Sequence, residues 1–185
     1  QYTTELRRET DKFRRLSTVD PLTKAYNRFG IDQIVTTLMA LKESESDAPG
    51  SPDFALILID IDHFKRINDR RGHDTGDRIL QAVATIISKA ISRKDYLGRW
   101  GGEEFVVILP NAPSASEVHT VAEKIRSAIE SATFPEVSQM TMSIGSSHWQ
   151  AEETNATDAI QRADEALYNA KASGRNCVVT YEKPA

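Results

Sequence analysis

At 185 residues and 39% apolar content, the chain can bury one hydrophobic core of ordinary size, with a short appendage at most. Its net charge of −4 excludes a general nucleic-acid binder, which carries a basic stripe, but leaves room for a mononucleotide held by a local cationic cluster. A lone cysteine, Cys177, excludes an internal disulfide framework and suits a reducing, cytoplasmic setting, and no apolar run approaches the roughly 20 residues that span a bilayer.

The chain opens on Gln1 without a signal-peptide pattern and reads as a fragment of a longer protein. Residues 1–18 are charged and helix-prone, with Tyr2, Leu6, Phe13 and Leu16 at near-heptad spacing. They read as the end of a coiled-coil linker, an amphipathic helix lying on its own domain being the alternative, and residues 19–185 then form the domain proper. Asp20-Pro21-Leu22-Thr23 breaks the helix. From Phe29 to about Lys42 a second helix is predicted, with Ile31, Ile34, Val35, Leu38 and Leu41 on its inward face. Ser44 to Asp53 reads as a mobile polar loop.

Phe54 to Ile59 is apolar at both parities, which predicts a central strand covered on both faces, and it runs directly into Asp60-Ile61-Asp62. His63-Phe64-Lys65 opens a short helix whose free amides, beside a lysine, form a natural phosphate site. Thr75 or Asp74 is the expected cap of the next helix, striped by Ile79, Leu80, Val83, Ile86, Ile87 and Ile91. A hairpin follows, with Gly101-Gly102 as its turn, where glycine accepts positive φ. Glu103 and Glu104 then open the apolar run Phe105 to Leu109. Ser114 and Glu117 stand at capping-box spacing before a helix to about Ser131. Met140 to His148 reads as a strand and Thr157 to Ala172 as a helix stopped by Gly174. Asn176 to Tyr181 reads as the last strand, carrying Cys177 as a buried thiol. This order predicts an α/β (α+β) domain, with a mainly antiparallel sheet and helices on one of its faces.

Two pairs of acids, Asp60/Asp62 and Glu103/Glu104, sit where buried strands begin or end. Uncompensated charge is costly there. If the two strands are neighbours, the acids converge and fit one or two Mg²⁺ ions facing a polyphosphate, since magnesium takes few protein ligands and the rest from phosphate and water. Lys171 and Arg175, four residues apart, reach toward such a phosphate tail or else serve as cations at a helix C-terminus.

Four stretches, taken together, resemble the GGDEF domain of the diguanylate cyclase family: Asp20 to Arg28; Asp60 to Asp69 with Gly72-His73 and Gly76-Asp77; Arg99 to Phe105, which holds the signature in its Glu form; and Ala163 to Asn176. The resemblance spans about Asp20 to Val179. It implies a palm-like nucleotidyl cyclase fold, with a five-stranded sheet flanked by helices, that condenses two GTP into cyclic di-GMP and pyrophosphate. Carried over by position, it makes Asp60, the backbone carbonyl of Ile61 and Glu103 ligands of Mg²⁺ (or Mn²⁺), two ions per site. Glu104 lies near the metal or aids deprotonation of the 3′-hydroxyl. Asn68 and Asp77 read guanine, which agrees with their chemistry, as acceptors suit the N1–H and N2–H₂ donors that adenine does not pair in this way. Phe64, Lys65, Lys171 and Arg175 bind phosphates, with His63 and His73 adjacent. Asp62, Asp69, Asp20 and Arg28 read as structural.

The same resemblance implies a homodimer, because each domain holds one GTP and the product has two-fold symmetry. An upstream sensor would act through the N-terminal helix. Many relatives carry an inhibitory product site, Arg-x-x-Asp, shortly before the signature. Here Asp95 is present but Ser92 replaces the arginine and cannot supply its bidentate fork, while Arg93, one residue on, would point elsewhere in a strand. Weak or absent product inhibition at this site is expected. A catalytically silent module that binds GTP or cyclic di-GMP is the alternative on this scaffold; degenerate members lose some of the site residues, and here all are present. A palm-like enzyme acting on DNA or ATP fits poorly with the acidic chain and with Asn68 and Asp77.

Overall fold

The computed structural model describes residue 5 and residues 17–44, 54–111, 113–149, 153 and 157–182. Most of the N-terminal helix and the polar loop after Ser44, both expected from sequence, therefore lie outside the described residues; Glu5 is helical, and Ser17 and Thr18 are not. In chain order the elements are α1 (Arg28–Ser44), β1 (Ala55–Ile61), α2 (Phe64–Arg71), α3 (His73–Ala90), β2 (Tyr96–Arg99), β3 (Glu104–Leu109), α4 (Ala115–Ser131), β4 (Met142–His148), α5 (Thr157–Ala172) and β5 (Val178–Thr180). Among the described residues no helix is long and apolar enough to cross a membrane.

The sheet runs β2-β3-β1-β4-β5. β1 is central and antiparallel to both β3 and β4; β2 is antiparallel to β3, and β5 joins β4 in parallel. Every residue of β1 is buried, as its apolar character at both parities requires. The helices consequently cover both faces, not the single face that the element order suggested. Ile57, Ile59, Phe105 and Val107 pack under Ile79, Val83 and Ile87 of α3 and Val118 and Ile125 of α4. Leu56, Leu58, Val106 and Ile108 pack on the other side against Ile31 and Val35 of α1 and Ala163 and Leu167 of α5.

Local chemistry sets most element ends. Asn27 caps α1, its Oδ1 accepting from the Gly30 amide at 2.8 Å. Ser114 and Glu117 form the expected capping box on α4. The cap predicted at Thr75 or Asp74 is not used. α3 begins earlier, at His73 with Gly72 as N-cap and no side-chain cap bond, and Thr75 instead accepts from Arg78 Nη2 at 3.1 Å. Leu41, expected to face inward, is 56% exposed, because the buried stripe of α1 runs through Ile31 and Val35 with Ile34, Leu38 and Met39 at its margin.

One close approach fixes the position of the whole of α5. A Cβ on Gly145, in β4, would lie 2.2 Å from the Leu167 amide nitrogen and 2.3 Å from the Ala163 carbonyl oxygen. Glycine therefore lets the α5 backbone rest directly on β4. Lys171, one turn beyond Leu167, is thereby carried to the tip of β1. Gly174 ends the helix at φ 110°, a left-handed stop that turns the chain back into β5.

Candidate active site

The β1–β3 register sets Asp60 directly opposite Glu104, on the sheet face that carries α1 and α5. Asp60 is buried, and Lys171 Nζ donates to its Oδ2 at 2.5 Å. Burial pushes the Asp60 carboxyl above its ordinary range; Lys171 offsets only part of that, and the neighbouring Asp62 charge adds to it. Glu104 is raised as well, first by burial and then by the Asp60 charge. Burial pulls the Lys171 ammonium down, but its bond to Asp60 and the charges of Asp60, Glu104 and Glu103 outweigh this and hold it above its ordinary value. The strand tips thus carry more buried negative charge than one ammonium balances, the condition in which a divalent cation binds.

The turn that presents Glu103 is held by backbone and by a strut. The amides of Trp100 and Gly101 both donate to the Glu104 carbonyl, at 2.8 and 3.3 Å, and the Ile61 amide donates to the Glu103 carbonyl at 3.4 Å. Arg99 donates from Nε and Nη2 to the Gly102 carbonyl at 3.1 and 2.8 Å, and from Nη1 to Asp20 at 3.4 Å. Asp20 is itself oriented by Thr23, through the amide at 3.0 Å and the hydroxyl at 2.7 Å. The Arg28 guanidinium lies 4.3 Å above the Trp100 ring. Neither Gly101 nor Gly102 adopts the positive φ expected of them. Their smallness serves another end: a Cβ on Gly101 would stand 3.1 Å from Glu104 Oε2, and one on Gly102 would meet nothing within 4 Å. The turn leaves space beside Glu104 and a bare backbone face.

Across the strand tip, His63 takes a left-handed conformation, φ 58°, as N-cap of α2. Its own side chain is exposed, as are those of Lys65, His73, Asp77 and Arg175, whereas Phe64 is buried in the core. The first amides of α2, at Phe64 and Lys65, cannot have an acceptor within the helix. Asn68 Oδ1 is buried and has no hydrogen-bond partner. It lies against α3 where Gly76 stands: a Cβ there would be 1.9 Å from it. Arg175 acts on Asp60 by its charge.

Of the predicted site residues, Asp60, Glu104 and Lys171 are in direct company and Glu103 and Arg175 within electrostatic reach. Asn68 packs against Gly76 of α3, Asp77 follows Gly76 on that helix with its side chain exposed, and the His63 and His73 side chains are exposed. Asp62 is structural, as expected: it accepts from Thr141 and Ser143 hydroxyls at 2.6 Å each and from the Asn176 amide at 3.1 Å. Cys177 is half-buried just ahead of β5, not within it; burial, then the Asp62 charge, raise its thiol, which donates to the Ala170 carbonyl at 3.4 Å. The sequence reading missed Asp164, whose charge acts on Glu104; its spacing of seven from Lys171 places the two on one helix face. It also missed Ser143 and Thr141, ordinary strand residues with no signal of their own.

Among the described residues no three His, Cys, Asp or Glu side chains close on one point. Magnesium does not need them, being held by one or two carboxylates together with carbonyl, phosphate and water. The all-oxygen donor set and the excess buried charge of Asp60 and Glu104 fit it.

A doubly covered sheet with facing carboxylates at the tips of its central strands is the palm-like fold of nucleotidyl cyclases. The family described as "Diguanylate cyclase, GGDEF domain" matches residues 17–177, and the chain belongs to that family. It is 39% identical over 184 residues to the response regulator PleD of Caulobacter vibrioides, covering 97% of this chain and 39% of PleD. It is 40% identical over 127 residues to the diguanylate cyclase DgcM of Escherichia coli, covering 69% of this chain and 30% of DgcM. It thus spans well under half the length of these relatives. The solved structure of the coiled coil and GGDEF domain of DgcB from Caulobacter crescentus, in complex with c-di-GMP, superposes with a TM-score of 0.80 at 32% identity, covering 97% of this chain and 93% of that one.

Proposed function

We propose that the chain is a diguanylate cyclase domain: it condenses two GTP into cyclic di-GMP and two pyrophosphates, as a homodimer in which each protomer holds one GTP. The observation that carries this is the cross-strand pair Asp60–Glu104 with Lys171 against it. Asp60, the Ile61 carbonyl and Glu103 would hold Mg²⁺ or Mn²⁺, two ions per site, which when bound polarise the attacking hydroxyl and the α-phosphate. Asn68, with its unpartnered acceptor, and Asp77 accept from the guanine edge. The amides of Phe64 and Lys65, the Lys65 ammonium, Lys171 and Arg175 take the triphosphate, with His63 and His73 at its margin. Each 3′-hydroxyl attacks the partner's α-phosphate; the new P–O bond forms as the bond to pyrophosphate breaks. Glu104, raised by burial, suits the proton from that hydroxyl.

Lys171 has two states in this reading: it neutralises Asp60 while substrate is away and turns to phosphate once a stronger cation sits beside Asp60. The reaction uses the cytoplasmic GTP pool, and residues 1–18 would transmit an upstream sensor's signal by setting how two domains face each other. The test is incubation with GTP and Mg²⁺ at several protein concentrations, with nucleotides separated by chromatography. Cyclic di-GMP should rise more steeply than linearly with protein and vanish in Glu103→Ala. Bound but intact GTP at every concentration would transfer support to the silent regulator.

A further inference from the structure

On the side of α2 away from Asn68, a cleft of about 350 Å³ opens between the helix and residues 136–141. Its cationic lining is Arg66, Arg70 and Arg71, with the His63 imidazole beside them; its apolar lining is Ile67, Val137 and Met140. Arg66, Arg70 and Arg71 are exposed and have no ion pair or hydrogen bond among the described residues. The two acids that also line the cleft are engaged elsewhere. Asp62 is saturated by Thr141, Ser143 and the Asn176 amide, and Glu136 pairs with Arg78 at 3.0 Å.

Three guanidinium groups on two turns of one helix oppose each other, and Arg66 and Arg70, four residues apart, do so on the same face. The chain's net charge is −4, so this positive patch goes against the overall charge. Planar forks lining one recess can bind phosphate oxygens in pairs. A recess of this volume, with an apolar lining, lies at the small end of ligand sites.

We propose that this cleft is a second anion site, separate from the GTP site, that takes a small phosphate-bearing ligand. Arg66 and Arg70 grip the phosphate, and the remainder of the ligand lies on Ile67, Val137 and Met140. The site has a mechanical link to the strand tip. Its far wall is tied to Asp62 by the Asp62 amide to the Thr141 carbonyl, 3.0 Å, and by the Thr141 hydroxyl to Asp62 Oδ2, 2.6 Å. A ligand bridging α2 to residues 136–141 therefore bears on the turn that presents Asp60 and Phe64. That coupling, unlike the binding itself, rests on the cyclase reading.

The test is an amide NMR titration with inorganic pyrophosphate at constant ionic strength, in a Lys171→Ala background that weakens phosphate capture at the GTP site. Saturable shifts at Ile67, Gln139 and Thr141 are expected, with affinity falling tenfold or more when Arg66→Ala and Arg70→Ala are added. The same two changes, made with Lys171 intact, should leave GTP turnover unaltered and Tm unlowered, since they relieve repulsion along α2. Shifts confined to Phe64, Lys65 and residues 171–175, or equal shifts from potassium chloride, would overturn the proposal. So would shifts produced by poly-glutamate and not by pyrophosphate, which would make the cleft a protein-docking surface. A chain that makes no cyclic di-GMP would overturn the cyclase reading and leave the binding result standing.

Discussion

Gly76→Ala separates the stability of the fold from the competence of the site. The added Cβ would lie 1.9 Å from Asn68 Oδ1 and 3.1 Å from Phe64 Cζ, against ordinary contact beyond about 3.4 Å, so Asn68 must move by more than an ångström. The obstructed group is the far end of a side chain, not backbone, and it can swing aside. Alanine in place of glycine inside a helix contributes about 1 kcal/mol, comparable to the cost of the crowding, so Tm should stay within a few degrees. The displaced Asn68 no longer meets the guanine edge, a loss of roughly 1–3 kcal/mol, or about five- to 150-fold in affinity. Calorimetry with a non-hydrolysable GTP analogue reads the affinity and thermal unfolding reads the fold. Asn68→Ala should match Gly76→Ala, and the double variant should be no worse than either. Unchanged nucleotide affinity in Gly76→Ala, alongside a clear loss in Asn68→Ala, would refute the reasoning. So would a large drop in Tm, which would mean that the crowding is passed to the helix pair.

Gly145→Ala should do the reverse: its Cβ meets the α5 backbone at 2.2 and 2.3 Å, nothing can swing aside, and a loss of about 3 kcal/mol or more is expected in the denaturation midpoint. Acid stability should depend on Asp20. Burial raises its carboxyl, but Thr23 and Arg99 more than reverse this and leave it below 3.8. Its contribution is therefore present above that pH and lost as pH falls through the lower folded value, and Asp20→Asn should flatten the acid limb of the stability curve. Asp95→Ala should leave product inhibition unchanged in a turnover assay, because no arginine at position 92 joins Asp95, whose Oδ2 instead accepts from the Ser92 amide at 2.8 Å. Residues 92–95 form a turn, so Arg93 is diverted by turn geometry and not by the alternation that a strand would have imposed. A marked relief of inhibition in Asp95→Ala would show that the site still binds product.

The elements that could be read along the chain are those whose cause is local. The capping box at Ser114 and Glu117 follows from spacing, the extent of α5 from its apolar stripe and Gly174, and the burial of β1 from its unbroken apolar run. The misreadings arose where one local pattern admits two uses, or where the deciding partner is remote. Leu41 matches a helical face, yet which face of α1 is inward depends on where Leu56 and Ile108 lie. Thr75 resembles a cap, but Arg78 takes its hydroxyl. Gly101 and Gly102 suggest a left-handed turn, whereas their lack of side chains matters for the room beside Glu104.

The sequence by itself determined the inventory: two acidic pairs beside buried strands, a helix start with free amides, a cationic helix end, and the four stretches that mark the family. Each is carried by neighbours within a few residues, so spacing suffices. The tertiary structure alone decided the pairings. Asp60 faces Glu104 because β1 and β3 are antiparallel in one register; Lys171 reaches Asp60 because Gly145 lets α5 rest on β4; Asp62 is withdrawn from the site because Thr141, Ser143 and Asn176 converge on it. These contacts join residues about 20 to 115 positions apart, and which of two acids at a strand end is buried with a cation or consumed by hydrogen bonds is settled only when the remote partners arrive.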